Sequence, residues 1–292
     1  MVARHEVFVI ADPSFGPALD PAIKHLPFDA TTWRYNPVAL WRLRRILKKI
    51  QPDVIHAQAN KAAYMANLCG VRATINVATV HNQKNDTKPF GRFDGVIAVS
   101  TAAGARLDHP HIAIIPNGIT TPPSPEASVI AQLRAQWCPT NEPMTIAVGR
   151  LVAAKGFDIL LQAWRDLPGK LIIIGSGPDE GKLKNLHAEL ALGERVVFTG
   201  YRKDVPLFMA AADLLVIASR REGFPYVLIE ALHTGIPIIS TDIPGAAEFL
   251  PPEAVIRTED SLALHFALQK ALGQHDVLNT NISPTSFALA QN

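Results

Sequence analysis

Residues 144–181 read MTIAVGRLVAAKGFDILLQAWRDLPGKLIIIGSGPDEG. Two short apolar runs, Met144–Gly149 and Lys170–Gly175, bracket an amphipathic segment at 156–166. That pattern is a strand, a crossover helix and a second, parallel strand. The alternation continues in both directions. It predicts strands at Glu6–Ala11, Asp53–Ala57, Thr74–Val80, Gly95–Val99 and Ile112–Ile115, then at Arg195–Thr199, Leu214–Ala218 and Ile236–Ser240. Helices are predicted at 37–50, 60–69, 156–166, 179–191, 204–211 and 225–233. The fold class is α/β, with two doubly wound units. The stretch ITTPPSPEAS at 119–128, rich in Pro, Ser and Thr, separates them as a linker. The expected organisation is a domain over 1–120, a connection over 121–140 and a second domain over 141–292.

Composition narrows the class. The 292 residues are 48% apolar and 18% charged, unlike a disordered chain. The longest apolar stretches, LIIIG at 171–175 and LLVIAS at 214–219, fall far short of the roughly 18 residues of a membrane span. The opening MVARHEVFVIA meets Asp12 and Pro13 too soon for a secretory leader. Two cysteines, Cys69 and Cys138, exclude a disulfide framework and fit a reducing cytoplasm. Net charge is split: residues 1–125 hold fourteen Lys/Arg against eight Asp/Glu, +6, and residues 126–292 hold fourteen against eighteen, −4. The basic half suits phosphates or an anionic membrane, but the excess is too modest for a nucleic-acid partner.

In doubly wound folds ligands sit at the carboxyl ends of the strands, so polar residues there are the candidates. Arg150 and Lys155 follow the strand MTIAVG with small residues between them, and two cations around a concave backbone suit a diphosphate. A solvated basic loop would satisfy the same spacing. LIIIGSGPDEG at 171–181 offers Gly-x-Gly after a buried strand, but Glu180 fills the third glycine position of a dinucleotide fingerprint, so a tight turn accounts for it equally well. REGFPYVLIEAL at 221–232 is the most informative. Pro225 fits the first turn of a helix, which places Gly223 and Phe224 at an anion-binding N-terminus. Glu222 precedes the helix and Glu230 lies on it. Carboxylates so placed accept hydrogen bonds from neighbouring hydroxyls, as on ribose or hexose. Glu230 also interrupts an apolar run, where a charge is not buried without a partner.

With these residues in view the chain resembles the retaining glycosyltransferases of family 4. Their hallmark E-x7-E stands here as Glu222 to Glu230. VGRLVAAKGFDILLQAW, LIIIGSGPDEGKL, VVFTGYRKDV and ADLLVIASRREGFPYVLIEALHTGIPIISTDIPGAAEFL follow the family's order, as do DVIHAQANKAAYMA, TVHNQ, FDGVIAVS and IIPNGI in the amino half. The resemblance covers roughly residues 50–260. It implies the GT-B fold, two Rossmann-like domains facing across a cleft, with an acceptor side in the amino half and a nucleotide-sugar donor domain in the carboxyl half. It also implies roles. Arg150 and Lys155 resemble the pair that holds the donor diphosphate, Glu230 the ribose ligand, and Glu222 the contact to donor-sugar hydroxyls. The backbone of Gly223, Phe224 and Pro225 would cradle the sugar and distal phosphate. His81, in TVHN, matches the histidine that faces the donor sugar, although a strand-end histidine taken alone is more often structural.

No two Asp residues stand two apart, so an Asp-x-Asp metal grip is absent from the sequence, and no His/Cys cluster has ligand spacing. The expectation is a metal-independent enzyme without cofactor, using a UDP- or GDP-sugar as donor substrate. One basic segment stands apart, NPVALWRLRRILKKI at 36–50. Leu40, Leu43, Leu47 and Ile50 follow helical spacing, while Arg42, Arg44, Arg45, Lys48 and Lys49 supply five cations without an acid. Such a helix, with Trp41, suits an anionic membrane surface, and equally a helix packed on a sheet with one solvated face.

Two departures from the family follow. HEVFVIA resembles the family's second strand, and no Gly-Gly turn precedes it, so a first βα unit is missing. Deleting a central strand leaves a gap in the ladder. Either Glu6–Ala11 takes the central place, with ADPSFGP as a shortened loop, or the start lies upstream of Met1. The tail QHDVLNTNISPTSFALAQN shows no helical period, where the family sends a last helix back to the amino domain. The leading expectation is a retaining transferase that builds lipopolysaccharide, capsule or a similar surface glycan, cytoplasmic or peripheral on the inner membrane face, with a glycan or lipid-linked acceptor. The rivals are a non-catalytic donor-binding subunit and a sugar-nucleotide epimerase.

Overall fold

A computed structural model describes residues 4–29, 31–83, 85–119, 123–140 and 142–273. The chain forms two compact units. Of the described residues, those within 4–80, 85–98 and 106–113 make one, and those within 81–83, 99–105 and 114–273 the other.

The first unit contains β1 (Phe8–Ala11), β2 (Lys24–Pro27), α1 (Pro37–Ile50), β3 (Val54–Gln58), α2 (Ala59–Leu68), β4 (Ile75–Val80), β5 (Gly95–Ala98) and β6 (Ile112–Ile114). β1 pairs in parallel with β2, in a ladder separate from the four strands ordered β3-β4-β5-β6. Glu6–Ala11 therefore does not take a central place beside β3, and that alternative is corrected. The strand it does pair with, KHLP, went unpredicted because it is short, polar and ended by a proline. α1 runs over the span its spacing predicted. Asn36 caps it, its side chain accepting from the Val38 and Ala39 amides, and Ala39 and Leu47 are buried. Arg44 Nη1 donates to the carbonyls of Cys69 (2.7 Å) and Gly70 (3.2 Å), so one of the five cations is structural.

The second unit holds a short helix α3 (Thr101–Gly104), then α4 (Ala127–Trp137), β7 (Met144–Val148), α5 (Phe157–Ala163), β8 (Lys170–Ile174), α6 (Glu180–Glu189), β9 (Val196–Gly200), α7 (Val205–Ala211), β10 (Leu214–Ile217), α8 (Tyr226–Thr234), β11 (Ile238–Thr241), α9 (Ala246–Phe249), β12 (Val255–Ile256) and α10 (Ser261–Gly273). Its six strands run β12-β11-β10-β7-β8-β9, all parallel, the doubly wound order that reverses between β7 and β10. The central strands are buried on both faces: Ile172 belongs to one apolar cluster, while Leu171 and Ile173 belong to the other.

The connection expected at 121–140 is mostly helix. α4 contributes Leu133 to the core, and Cys138 follows it there. Arg134 donates to the Ala211 carbonyl (2.8 Å) and to Asp213 Oδ2 (2.8 Å), an oxygen that also accepts from the Met144 amide (2.7 Å). The polar run ahead of α4 masks the apolar spacing Ile130, Leu133 and Trp137. The tail beyond Gly273 lies outside the described residues.

Trp164, closing α5, is fully buried in the second unit. Trp164→Ala is expected to remove about 3–5 kcal/mol of stability, read as an earlier denaturant midpoint for this unit.

Candidate active site

The topological reversal brings together the loop after β7, which carries Arg150 and Lys155, and the loop after β10, which carries Glu222. The first is set by its neighbour. The Gly149 amide donates to the Ile174 carbonyl (3.0 Å), the Leu151 amide to the Ser176 carbonyl (2.9 Å), and the Asp179 amide to the Leu151 carbonyl (3.1 Å). A Cβ on Gly175 would stand 1.9 Å from the Gly149 carbonyl oxygen. Gly-x-Gly at 175–177 thus serves the approach of one strand-end loop to another, the turn reading of that motif.

Arg220 fixes the second loop. Its guanidinium grips Asp158 through two bonds of 2.7 Å, pairs with Glu259, and donates to the Ala153 carbonyl at 2.8 Å. The Arg220 amide donates to the Ala154 carbonyl at 2.9 Å. Hydrogen bonding to Arg220 holds the Asp158 carboxyl below the usual carboxylate range, and hydrogen bonds to Asp158 and Glu259 push Arg220 further up. The result is that Lys155 Nζ pairs with Glu222, whose Oε1 also accepts from Ser219 Oγ at 2.7 Å. Lys155 and Glu222 are thereby brought into one arrangement. Arg150 is exposed and makes no ion pair among the described residues.

Beyond Glu222 the backbone is pinned. Ser100 Oγ, buried at the start of α3, donates to the Gly223 carbonyl at 2.7 Å, and Asn117 Nδ2 donates to the Phe224 carbonyl at 2.9 Å. A Cβ on Gly223 would lie 1.6 Å from the His81 carbonyl oxygen, so this contact admits glycine alone. His81 thus meets the loop through its backbone. The Phe224 ring is buried against Phe249, with 6.1 Å between centroids, which leaves only its main chain for a ligand. Pro225 stands in an extended conformation just ahead of α8, one residue earlier than its predicted place within the first turn. Glu230 is half-buried on α8 and has no hydrogen-bond or ion-pair partner among the described residues. Burial alone pushes its carboxyl above the usual Glu value.

Sequence reading assigned nothing to Asp158, Ser219 or Arg220, nor to Ser100 and Asn117. All five stand inside the runs quoted above, but nothing in those runs names their partners.

Two family profiles match: Glycosyl transferases group 1 over residues 130–276, half of the chain, and Glycosyltransferase Family 4 over residues 1–121. The chain belongs to the group 1 glycosyl transferases. Among relatives of this group, the lipopolysaccharide core biosynthesis glycosyltransferase LpsE of Rhizobium meliloti is 26% identical over 72% of this chain and 61% of its own length. The GDP-mannose-dependent alpha-mannosyltransferase of Mycobacterium tuberculosis is 27% identical over 85% of this chain and 73% of its own. The chain therefore spans under two thirds of LpsE. Among solved structures, Anabaena HepE in complex with UDP-glucose superposes with a TM-score of 0.83 at 23% identity, covering 97% of this chain and 86% of that one. WaaG, a glycosyltransferase involved in lipopolysaccharide biosynthesis, gives 0.68 at 20%, covering 99% and 87%. These likenesses establish the glycosyl transferase fold, GT-B.

Gly223→Ala is expected to cost about 1–3 kcal/mol, because backbone must move to admit the methyl group. Thermal unfolding checks this.

Proposed function

We propose that the chain is a retaining glycosyltransferase that moves a sugar from a nucleotide diphosphate, UDP- or GDP-linked, to a surface glycan such as lipopolysaccharide or capsule. The observation that carries the reading is Glu230. A half-buried carboxylate without a partner is costly, and a ribose supplies two adjacent hydroxyls that would donate to it. Arg150 and Lys155 lie at the end of β7, where a diphosphate bound by that nucleotide would extend. The amides of Gly223 and Phe224 have no acceptor among the described residues while both carbonyls are engaged, a disposition that suits phosphate or sugar oxygens.

In the proposed reaction the bond between the anomeric carbon and the distal phosphate oxygen breaks. The acceptor hydroxyl attacks the same face, giving its proton to the departing phosphate. Arg150 and Lys155 stabilise the charge that develops on the leaving group, without a metal. Glu222 accepts from donor-sugar hydroxyls, and His81 faces the sugar. Lys155→Ala and Glu230→Ala should abolish transfer; full activity in either would overturn the assignment. Binding of UDP or GDP without any transfer would instead favour the donor-binding subunit.

The pH dependence has a definite sign. Ribose hydroxyls bind the ionised carboxylate, so nucleotide affinity falls as pH drops through the Glu230 pKa, and burial makes this fall begin at a higher pH than for an ordinary Glu. Calorimetry should show the slope in the wild type and a flat profile in Glu230→Gln.

We also propose that α1 meets the membrane. Val38, Trp41, Arg42, Arg45, Lys48 and Lys49 are exposed and recur at helical spacing on one stripe, with Arg45 over the Trp41 ring. No helix among the described residues is long and apolar enough to cross a bilayer. Sedimentation with phosphatidylglycerol vesicles, but not with phosphatidylcholine vesicles, is expected, and it should be lost in Lys48→Glu/Lys49→Glu.

A further inference from the structure

The segment between β2 and α1 places three residues in the first unit that the reaction above does not use. Arg34 Cζ stands 4.7 Å from the ring centroid of Tyr64 on α2 and 5.9 Å from that of Tyr35. The Tyr35 and Tyr64 rings are 6.1 Å apart, and Trp33 meets Tyr35 edge-on at 5.0 Å. The Tyr64 hydroxyl donates to Asp86 Oδ2, while Asn60 Nδ2 donates to the Asp86 carbonyl at 3.1 Å. Asn60 lies two residues past β3, and Asp86 lies in the loop that leaves β4. The cluster therefore stands at the carboxyl edge of this unit's sheet, where open α/β sheets bind ligands.

Its exposure is not that of a packing motif. Trp33 is 68% exposed and Tyr35 43%. Arg34 has no carboxylate within ion-pair distance among the described residues, and its one polar contact is to Asn60 Oδ1 at 3.5 Å. A guanidinium carries five donors in a planar fork. Here the tyrosine rings hold the cation while most of those donors stay unspent, a disposition suited to a carboxylate or phosphate. The adjoining Trp33 and Tyr35 offer rigid apolar surface of the kind that packs on the C–H face of a sugar ring.

We propose that Trp33, Arg34 and Tyr35, backed by Tyr64, form a binding platform for an anionic saccharide, with the rings under the sugar and Arg34 on its phosphate or carboxylate. To call that saccharide the acceptor rests on the transferase reading; the binding itself does not. The site is distinct from the residues assigned to the donor, all of which belong to the second unit.

Saturation-transfer NMR on the full chain would titrate mannose 6-phosphate, glucuronic acid, mannose and inorganic phosphate. The sugar acids are expected to bind about tenfold tighter than mannose or phosphate, the worth of one charge-assisted contact. Arg34→Gln should erase that preference, and Tyr35→Ala should weaken all sugars. Trp33→Ala, at an exposed position, provides a variant whose folding is not in question and should weaken them likewise. Lys155→Ala should leave sugar-acid binding intact. Equal binding of phosphate alone, equal binding of mannose, or no binding at all overturns the platform. So does loss of phosphatidylglycerol-vesicle binding in Arg34→Gln with sugar binding unchanged, which would assign these residues to the membrane. UDP and GDP titrations separate the two readings: nucleotide binding without sugar-acid binding sinks only the platform, and sugar-acid binding without nucleotide binding sinks the transferase.

Discussion

The arrangement of the candidate site depends on the Arg220 guanidinium. Partly exposed ion pairs contribute little in isolation. Arg220 is different because one planar group grips Asp158 in the first turn of α5, Glu259 beyond β12 and the Ala153 carbonyl in the loop that presents Lys155. Three chain segments share one cation. Glu222 follows Arg220 by two residues and Lys155 precedes Asp158 by three, so fixing Arg220 to Asp158 sets the separation of the Lys155–Glu222 pair. The sheet beneath supplies the rigidity: β7, β8 and β10 are buried on both faces, and the loops at their carboxyl ends move only if that core moves.

Much of this was legible in the sequence. The βαβ alternation located the sheet of the second unit, because strands buried on both faces read as unbroken apolar runs. Glu222 and Glu230 stood out because each breaks a local expectation, one beside a glycine-proline turn and the other inside an apolar helix. What stayed hidden is pairing across sequence distance. Arg220 and Asp158 lie 62 residues apart, and Ser100 and Gly223 lie 123 apart, with no local signal in either partner. β2 and α4 escaped for a different reason: KHLP carries too little apolar pattern to register, and a run of prolines ahead of α4 outweighed its own spacing.

The first unit was harder to read. Its strands form two ladders where one was foreseen, and its candidate ligand contacts come from a non-regular segment, 31–36, that has no period to detect. The excess of positive charge in this half is divided among separate tasks. Arg44 closes a helix junction, the α1 stripe faces solvent, and Arg34 lies among aromatic rings. A net charge therefore said less than the surroundings of each cation.

The contact between Lys155 and Glu222 bears on how anions would reach the proposed donor site. The Lys155 ammonium already has a counter-ion whereas Arg150 has none among the described residues, so in the proposed reaction an arriving diphosphate would meet Arg150 directly and exchange one pairing for another at Lys155. On that proposal Glu222 would give up Lys155 and accept from the neighbouring sugar hydroxyls. A free phosphate offers no such hydroxyls, so it would break the resident pair and leave Glu222 with the Ser219 hydroxyl alone. The Lys155–Glu222 pair is in this sense internally compensated, so it favours ligands that satisfy both of its halves at once.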